Sequence, residues 1–369
     1  MTEQSIRKMY DKLAVKRDNF CDRAEECAEL TLPAVLPYDG FSSSSQLYTP
    51  FQSVGARGVN NLASKLLLLL LPPNQPFFRL SVSGKTQQEL ETQPELKTDI
   101  EKSLAKLERR VMKFIEENAI RVPVFEALKH LLITGNVLLH MSKDSKMKLY
   151  NIEQYVVNRD AYGNLLQIVI KESVSPLTFD EETRMLCQIT DNSEDIDLYT
   201  NIQLQKDGKY HTEQQCNMIT IPKSIGSFKS EDLPFMPLRM IRIENEDYGR
   251  SYVEEFLGDL KSLEGLSKAL LQASAAMSKV VFMVRPNATT KKRDLVESQN
   301  GDIITGSKED VDVLQVEKYF DMQVVERSIK NLTERLGYVF LLQSAVTRDA
   351  ERVTAEEIRK LANELEAAL

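Results

Sequence analysis

Read along the chain, apolar positions recur first at helical spacing, then in alternation, then at helical spacing again. Residues from about Ser5 to Leu30 form the first helical stretch. A polar loop punctuated by Gly, Ser and Pro follows, LPYDGFSSSSQLYTPF. QSVGARGVNNLASKLLLLLL reads as helix again, its leucine run Leu66–Leu71 expected as a buried helix end stopped by Pro72 and Pro73. Leu96 to Asn118 is a third helix, with Glu and Lys near i,i+4 spacing. VPVFEALKHLLITG is a fourth, ended by Gly135. From Asn136 to about Asn245 the pattern changes to short alternating or β-branched runs such as LLQIVIKESV and CNMITIP, with turn sequences DAYGN and KDGKY between them. The expectation is a mixed sheet region built on the N-terminal helices, an α+β unit.

Helix returns at GRSYVEEFLGDLKSLEGLSKALLQASAAMSKV. Phe256, Leu260, Leu263, Leu266, Leu270, Ala273 and Met277 form one seam on a rod of about 45 Å. A compact interruption, Val280 to Val316, holds VVFMVRP, the basic run TTKKRD, the strand-like DIIT and VDVLQV. Met322, Val325, Ile329, Leu332, Leu336 and Val339 then alternate steps of three and four, a sustained heptad seam. The pattern describes two long helices with a small β-containing knob between them. A single hairpin of this kind leaves its sides exposed; repetition around a ring would give those sides neighbours.

The chain closes on RDAERVTAEEIRKLANELEAAL. Thr354 and Glu357 have capping-box spacing, and Val353 and Ile358 are placed as a hydrophobic staple. Ile358, Leu361, Ala362, Leu365 and Leu369 continue as one apolar stripe with no Gly or Pro stop signal. The sequence is therefore expected to end inside a helix, with a further segment beyond it.

At 369 residues the chain can hold two or three compact units. Its 42% hydrophobic and 28% charged content suits a folded protein rather than a disordered one. A formal charge of −8 argues against generic nucleic-acid affinity, which needs basic surface to displace counterions. It leaves room for a protein that handles DNA without gripping it. Cys21, Cys27, Cys187 and Cys216 have spacings of neither a zinc site nor a disulfide framework, which suits synthesis in a reducing cytoplasm. The polar N-terminus is no signal peptide, and the leucine run is too short to span a bilayer, so no membrane partner is expected.

Catalytic chemistry is hard to place. His130, His140 and His211 have no metal-ligand spacing and read as structural, and no nucleophile-elbow motif is present. Gly84-Lys85-Thr86 matches the end of a phosphate-binding loop, but Arg79 stands where the loop needs glycine. Gly301 to Gly306, GDIITG, reads as a strand bounded by turns. The acidic run DNSEDID could hold a hard cation but reads first as a solvated loop. No catalytic residue, cofactor site or metal site is assigned. Two charged places remain. Lys291, Lys292 and Arg293 form a basic cluster on a loop of the knob, fit for phosphate, for an acidic partner, or simply for solvent. Arg348, Asp349, Glu351 and Arg352 lie between the heptad helix and the capped helix, with signs suited to inter-subunit salt bridges or to weak contact with a sliding polyanion.

YGRSYVEEFLGDLKSLEGLSKAL, NGDIITGSKEDVDVLQVEK and RDAERVTAEEIRKLANELEAAL, in that order, closely resemble the portal (head-to-tail connector) proteins of short-tailed, podovirus-like bacteriophages. The resemblance implies an α+β portal fold. It places a wing at 1–248, a first stem helix at 249–279, a clip at 280–316 and a second stem helix at 317–342. A tunnel loop would follow at 343–353 and the start of a crown-directed helix at 354–369, the crown itself being absent. It also implies a homo-dodecameric ring at a capsid vertex, a channel for packaging and ejecting double-stranded DNA, and a docking site for terminase and tail adaptor. Capsid and internal core or scaffold proteins would be further partners, the virion the final location, and the bacterial host cytoplasm the place of synthesis. Arg348, Asp349, Glu351 and Arg352 then become tunnel-loop candidates and Lys291, Lys292 and Arg293 clip candidates. Twelve copies at −8 each would make a mostly repulsive bore, with those cations as guides. The other classes weighed are a nucleic-acid motor subunit, which needs nucleotide-binding residues not found, and a helical-hairpin scaffold or adaptor unrelated to DNA.

Overall fold

The computed structural model describes residues 5–38, 40–42, 44–73, 76–82, 94–189, 195–277, 281–286, 289–299, 301–314 and 319–342. The chain divides into two compact units, one of residues 1–258 with 337–369 and one of residues 259–336.

The larger unit is α+β. Helix α1 (Ile6–Glu29) lays one face on an antiparallel sheet of six strands. In that sheet β3 (Tyr155–Arg159), β4 (Leu165–Val174), β5 (Ile196–Leu204), β6 (Tyr210–Cys216) and β7 (Ile219–Thr220) are neighbours in sequence order, and β8 (Gly226–Phe228) also pairs with β6. Ile6 and Tyr10 pack against Val156, Val169 and Tyr199, one residue or more from each of the three leading strands. The alternation of Val156 with Val169 and Tyr199 across the ladder follows from the period of two that puts every second side chain on one face. Arg17 is buried beneath the same helix. Its Nη1 donates to the carbonyl of Glu153 at 2.6 Å, the carbonyl of Tyr155 at 3.2 Å and the hydroxyl of Tyr10 at 2.9 Å. These acceptors at Nη1 offset part of the cost of taking the charge from water, while the buried Nε has no hydrogen-bond partner among the described residues.

Helix α2 (Val54–Leu70) and helix α4 (Arg121–Thr134) pack together, and α4 also packs on α1. Between α2 and α4 runs α3 (Pro94–Glu117), which carries no fully buried residue among those described. A second sheet of three strands has the order β2–β1–β9, with β1 (Asn136–Met141) central, β2 (Met147–Tyr150) and β9 (Phe235–Arg239) antiparallel to it. Gly135 ends α4 in the left-handed region at φ 73°, as the sequence predicts for a helix stopped by glycine. The leucine run differs from expectation: Leu66 to Leu69 are only half-buried and Leu70 is exposed. Four or five successive leucines sweep round more than a full helical turn, and only part of a turn can face the core.

The smaller unit is a helical pair with a β-containing end. After the short α5 (Glu181–Leu186) of the larger unit, helix α6 (Leu257–Met277) presents Leu260 and Leu263 buried, with Leu266, Leu270, Ala273 and Met277 half-buried. The first turn, Val253–Phe256, is a 3₁₀ helix, so α6 begins later than the periodicity suggests. Between α6 and α8 (Tyr319–Val339), β10 (Val281–Val284) pairs antiparallel with β11 (Val311–Leu314). Along α8 the heptad positions Met322, Val325, Ile329 and Leu332 are half-buried and Leu336 is buried, while the residues between them are mostly exposed. Arg335 forms an ion pair with Asp259 at the base of this unit.

Two expectations are corrected within the knob. DIIT forms no strand and Ile303 is fully exposed; β10 and β11 pair only with each other among the described residues, and DIIT joins neither of their open edges. The basic run is only partly a loop: Lys292 opens a short helix, α7 (Lys292–Glu297), with Lys291 at its N-cap.

Candidate functional site

A hairpin of long helices is useful to a scaffold only if both its ends are held, and the larger unit holds both. The outgoing end is fixed by Asn136, which is 1% exposed at the α4–β1 junction. Its Nδ2 donates to the carbonyls of Thr134 at 3.0 Å and Gly249 at 2.9 Å. Its Oδ1 accepts the Gly249 N–H at 2.7 Å. Ser251 Oγ donates to the Leu132 carbonyl at 2.9 Å, and the Gly135 carbonyl accepts from Met240 N–H at 2.9 Å. Only glycine fits at 135: an added Cβ would stand 2.5 Å from the Arg250 carbonyl carbon, in a left-handed backbone already unfavourable to other residues.

The residues around Gly249 are tied just as closely. Tyr248 Oη accepts the Val157 N–H at 3.0 Å, and Asp247 Oδ1 accepts the Arg159 N–H at 2.7 Å. Arg250 reaches Glu246 at 2.5 Å and Glu254 at 3.2 Å, and Glu254 also meets Arg23 at 3.3 Å. The hydrogen bond from Arg250 holds the Glu246 carboxyl below its ordinary range, so this network is charged at neutral pH.

The returning end is gripped by one face of α2. Gly58 lies so close to Phe340 that a Cβ would stand 2.5 Å from its ring. One turn on, Asn61 Nδ2 donates to the carbonyls of Phe340 at 2.9 Å and Leu341 at 3.0 Å. A further turn on, the buried Lys65 Nζ donates to the Leu341 carbonyl at 2.9 Å. Positions 58, 61 and 65 fall on one helix face by the three-four rule. Asn61 and Lys65 supply donors for the two carbonyls that follow the end of α8, and Lys65 brings positive charge to its negative dipole end. Leu341 sits at φ 53°, a costly conformation for a branched side chain that the grip of Asn61 and Lys65 stabilises. Phe340 closes the arrangement. It is fully buried and meets Tyr252 and Phe256 edge-on, while Tyr252 Oη donates to the Val339 carbonyl at 3.2 Å. The two roots of the hairpin are thus locked to each other inside one unit.

Sequence reasoning missed Asn136, Gly58, Asn61 and Lys65. Lys65 inside the apolar run ASKLLLLLL and Asn61 inside VNNLAS were the available signals, polar residues where the stripe called for apolar ones.

Of the predicted site residues, Lys291, Lys292 and Arg293 come together on the exposed N-terminal side of α7. Arg293 meets Glu297 at 2.8 Å one turn on. Cations in a first helical turn oppose the dipole, so α7 gains nothing from them. The knob is anchored nearby by Asp310, whose Oδ2 accepts from the N–H and hydroxyl groups of both Thr289 and Thr290 at 2.8 to 3.2 Å. Arg348, Asp349, Glu351 and Arg352 lie outside the described residues, as do the Thr354–Glu357 capping box and Gly84-Lys85-Thr86.

The histidines serve packing and local contacts. His130 is buried, and burial pulls it down to about 4, so it is neutral at pH 7. His140 stacks on Phe235 at 4.2 Å, and His211 meets Asp207 at 3.1 Å. All four cysteines are buried and outside any disulfide, with burial pushing Cys21 and Cys216 up to about 11. Among the described residues no group of three or more His, Cys, Asp or Glu could hold a metal ion, and no helix is long and apolar enough to cross a membrane.

The family model of bacteriophage head to tail connecting proteins matches residues 3–369. Over 379 aligned residues the chain is 41% identical to the portal protein of Escherichia phage T7, covering 100% of this chain and 70% of that protein. It is 40% identical over 376 residues to the portal protein of Enterobacteria phage T3, again across 100% of this chain and 70% of the relative. Among solved structures it aligns with a chain of the native gene transfer agent virion at TM-score 0.32 and 10% identity, over 65% of this chain and 61% of that one. The chain belongs to the bacteriophage head to tail connecting proteins, the portal or connector components of the virion.

Proposed function

We propose that this chain is the repeating subunit of a homo-dodecameric portal ring that conducts double-stranded DNA through a capsid vertex. Residues 1–248 act as the wing, 249–279 and 317–342 as the stem, 280–316 as the clip and 343–353 as the tunnel loop, with 354–369 leading toward a crown. The observation that carries this reading is the double anchorage of the helical hairpin. Asn136 holds the outgoing root and the α2 face of Gly58, Asn61 and Lys65 holds the returning one, immediately before residue 343. A loop that meets moving DNA needs a fixed base, and Phe340 and Leu341 with their gripped carbonyls supply one.

The chain acts as a conduit rather than as a catalyst. ATP turnover belongs to a separate terminase motor docked at the clip, where Lys291, Lys292 and Arg293 face an acidic partner or phosphate. Tail adaptor, capsid and internal core proteins complete the assembly. The protein is made in the host cytoplasm and ends in the virion. A net charge of −8 per copy keeps the bore from holding phosphate tightly, since each neutralised phosphate adds salt-dependent affinity. Arg348 and Arg352 guide the duplex, with Asp349 and Glu351 offsetting them.

The test is the double reversal Arg348→Glu with Arg352→Glu in the full-length protein. Rings are expected to assemble normally while packaging or DNA retention falls. Normal packaging and retention would refute the guide role. A protein that never forms a closed ring in native mass spectrometry, or one that hydrolyses ATP unaided, would refute the conduit reading itself.

A further inference from the structure

Helix α3 combines features that the isolated chain does not use. Leu96, Leu107, Val111 and Phe114 are exposed, at 39 to 49%, and lie on one stripe with the half-buried Ile100 and Leu104. Such a stripe marks a face meant to be covered. Beside it runs a basic stripe. Lys106, Arg109 and Arg110 border a surface groove together with Leu107, and none of the three forms an ion pair among the described residues. Like charges three and four residues apart destabilise an isolated helix, so this stripe is not there for α3 itself.

A complementary surface lies elsewhere on the same unit. The loop after α1 folds back to form an open groove of about 330 Å³ whose apolar wall includes Leu36, Leu47, Tyr38 and Tyr48. Tyr38 and Tyr48 are exposed at 47% and 38%. The other wall is α1, which contributes Asp22, Glu25, Glu26 and Glu29 along one face. Three of these sit in the last two turns, where the dipole disfavours negative charge, and α1 has no basic residue in its last turn.

We propose that α3 of one copy docks in the α1 groove of the next copy, forming the contact between neighbouring subunits. This rests on the ring reading above and names a contact that closes it. The two surfaces differ and are complementary, basic with apolar on one side and acidic with aromatic on the other. A contact between two unlike patches of the same chain is heterologous and generates a ring when its rotation closes. Pairing α3 with its own copy would set basic stripe against basic stripe. A polyanion would answer the charge but leave Leu107, Val111 and Phe114 uncovered.

The experiment uses engineered cysteines in the full-length protein, since the native cysteines of the described structure are buried. With Leu107→Cys and Tyr48→Cys together, oxidation is expected to give a ladder of covalent oligomers up to the closed ring, while either change alone gives no ladder. Arg109→Glu with Arg110→Glu is expected to lower the ring fraction by about tenfold or more, as like charges meet across the contact. Adding Glu26→Lys and Glu29→Lys is expected to restore it. Wild-type rings with no ladder in the double-cysteine protein, and unaffected by the arginine reversals, would overturn the docking while leaving the ring reading intact. A wild-type protein that stays monomeric removes the ring reading and the docking with it. If the reversed protein loses its circular-dichroism signal, the cysteine ladder alone decides.

Discussion

Replacing Asn136 by Ala removes three hydrogen bonds from a site where the side chain is 1% exposed. The cost comes less from the bonds than from what they leave behind. The N–H and carbonyl of Gly249 lose their partner, and an unsatisfied buried backbone group costs about 1–3 kcal/mol. The Thr134 carbonyl sits at the helix end and can turn to other donors, so two groups dominate. The expected loss is about 2–5 kcal/mol, the lower end applying if a water enters the space left behind. Urea denaturation followed by far-ultraviolet circular dichroism measures it, and hydrogen exchange localises it. The Gly249 amide should exchange at least tenfold faster in the variant at sub-denaturing urea, with the β4–β5 ladder unchanged. Asn136→Asp separates shape from hydrogen bonding. It keeps the acceptor for Gly249 N–H but loses both donated bonds and brings a carboxylate into a dry site. A dry site favours the neutral acid, so this variant should lose further stability as pH rises from 4 to 7. A cost below about 1 kcal/mol for Asn136→Ala with Gly249 still protected would refute the reasoning, because a desolvated backbone pair cannot be that cheap to abandon.

Three further outcomes follow from the same structure. Gly58→Ala should destabilise by about 1–3 kcal/mol through overpacking against the buried Phe340 ring, and Phe340→Leu in the same chain should recover part of it; additive costs on denaturation would show that the two do not touch. His130 is pulled down to about 4 by burial, below its unfolded value near 6.5, so its contribution is fully present above that value and lost as pH falls through the window to 4. That loss is about 3 kcal/mol by pH 4, and His130→Leu should flatten the acid limb of the stability profile; an unchanged limb refutes the assignment. Arg17→Met should cost about 1–3 kcal/mol by removing the Nη1 donor from the Tyr155 carbonyl, the Glu153 carbonyl keeping its bond from Tyr10 Oη; a loss below about 0.5 kcal/mol on thermal unfolding would sink the argument.

The periodicities were enough to place the long helices of the larger unit. The α1, α2, α3 and α4 boundaries all fall within two residues of the expected ones, and Gly135 ends α4 as glycine should. They also identified the seams of α6 and α8 residue by residue, because a seam is a local pattern and one buried stripe suffices to write it. What remained illegible was everything that depends on a second element. DIIT has the composition of a strand but pairs with no strand, and strand formation is a property of the pair. The leucine run has the composition of a core but is only half-covered, since composition does not say what stands opposite. The same limit hid Asn136, Asn61 and Lys65. Each acts on a backbone group 113 to 280 residues away, and no spacing within one helix encodes such a distance.

Those distant partners share one feature. Arg17, Asn136, Asn61, Lys65, Ser251 and Tyr248 each hydrogen-bond main-chain atoms. Each fixes the path of the backbone at a point where an element starts, ends or reverses. The pattern concentrates at Gly249–Ser251 and Val339–Leu341, shortly before the chain leaves the larger unit after residue 258 and shortly after it re-enters at residue 337. Tyr252, Phe256 and Phe340 join those places by aromatic contact, so neither root can shift without disturbing the other. A displacement of either root is therefore resisted by both anchors at once. On the portal reading proposed above, stiffness has a use at these roots, because whatever guides passing DNA needs a base that does not follow the DNA.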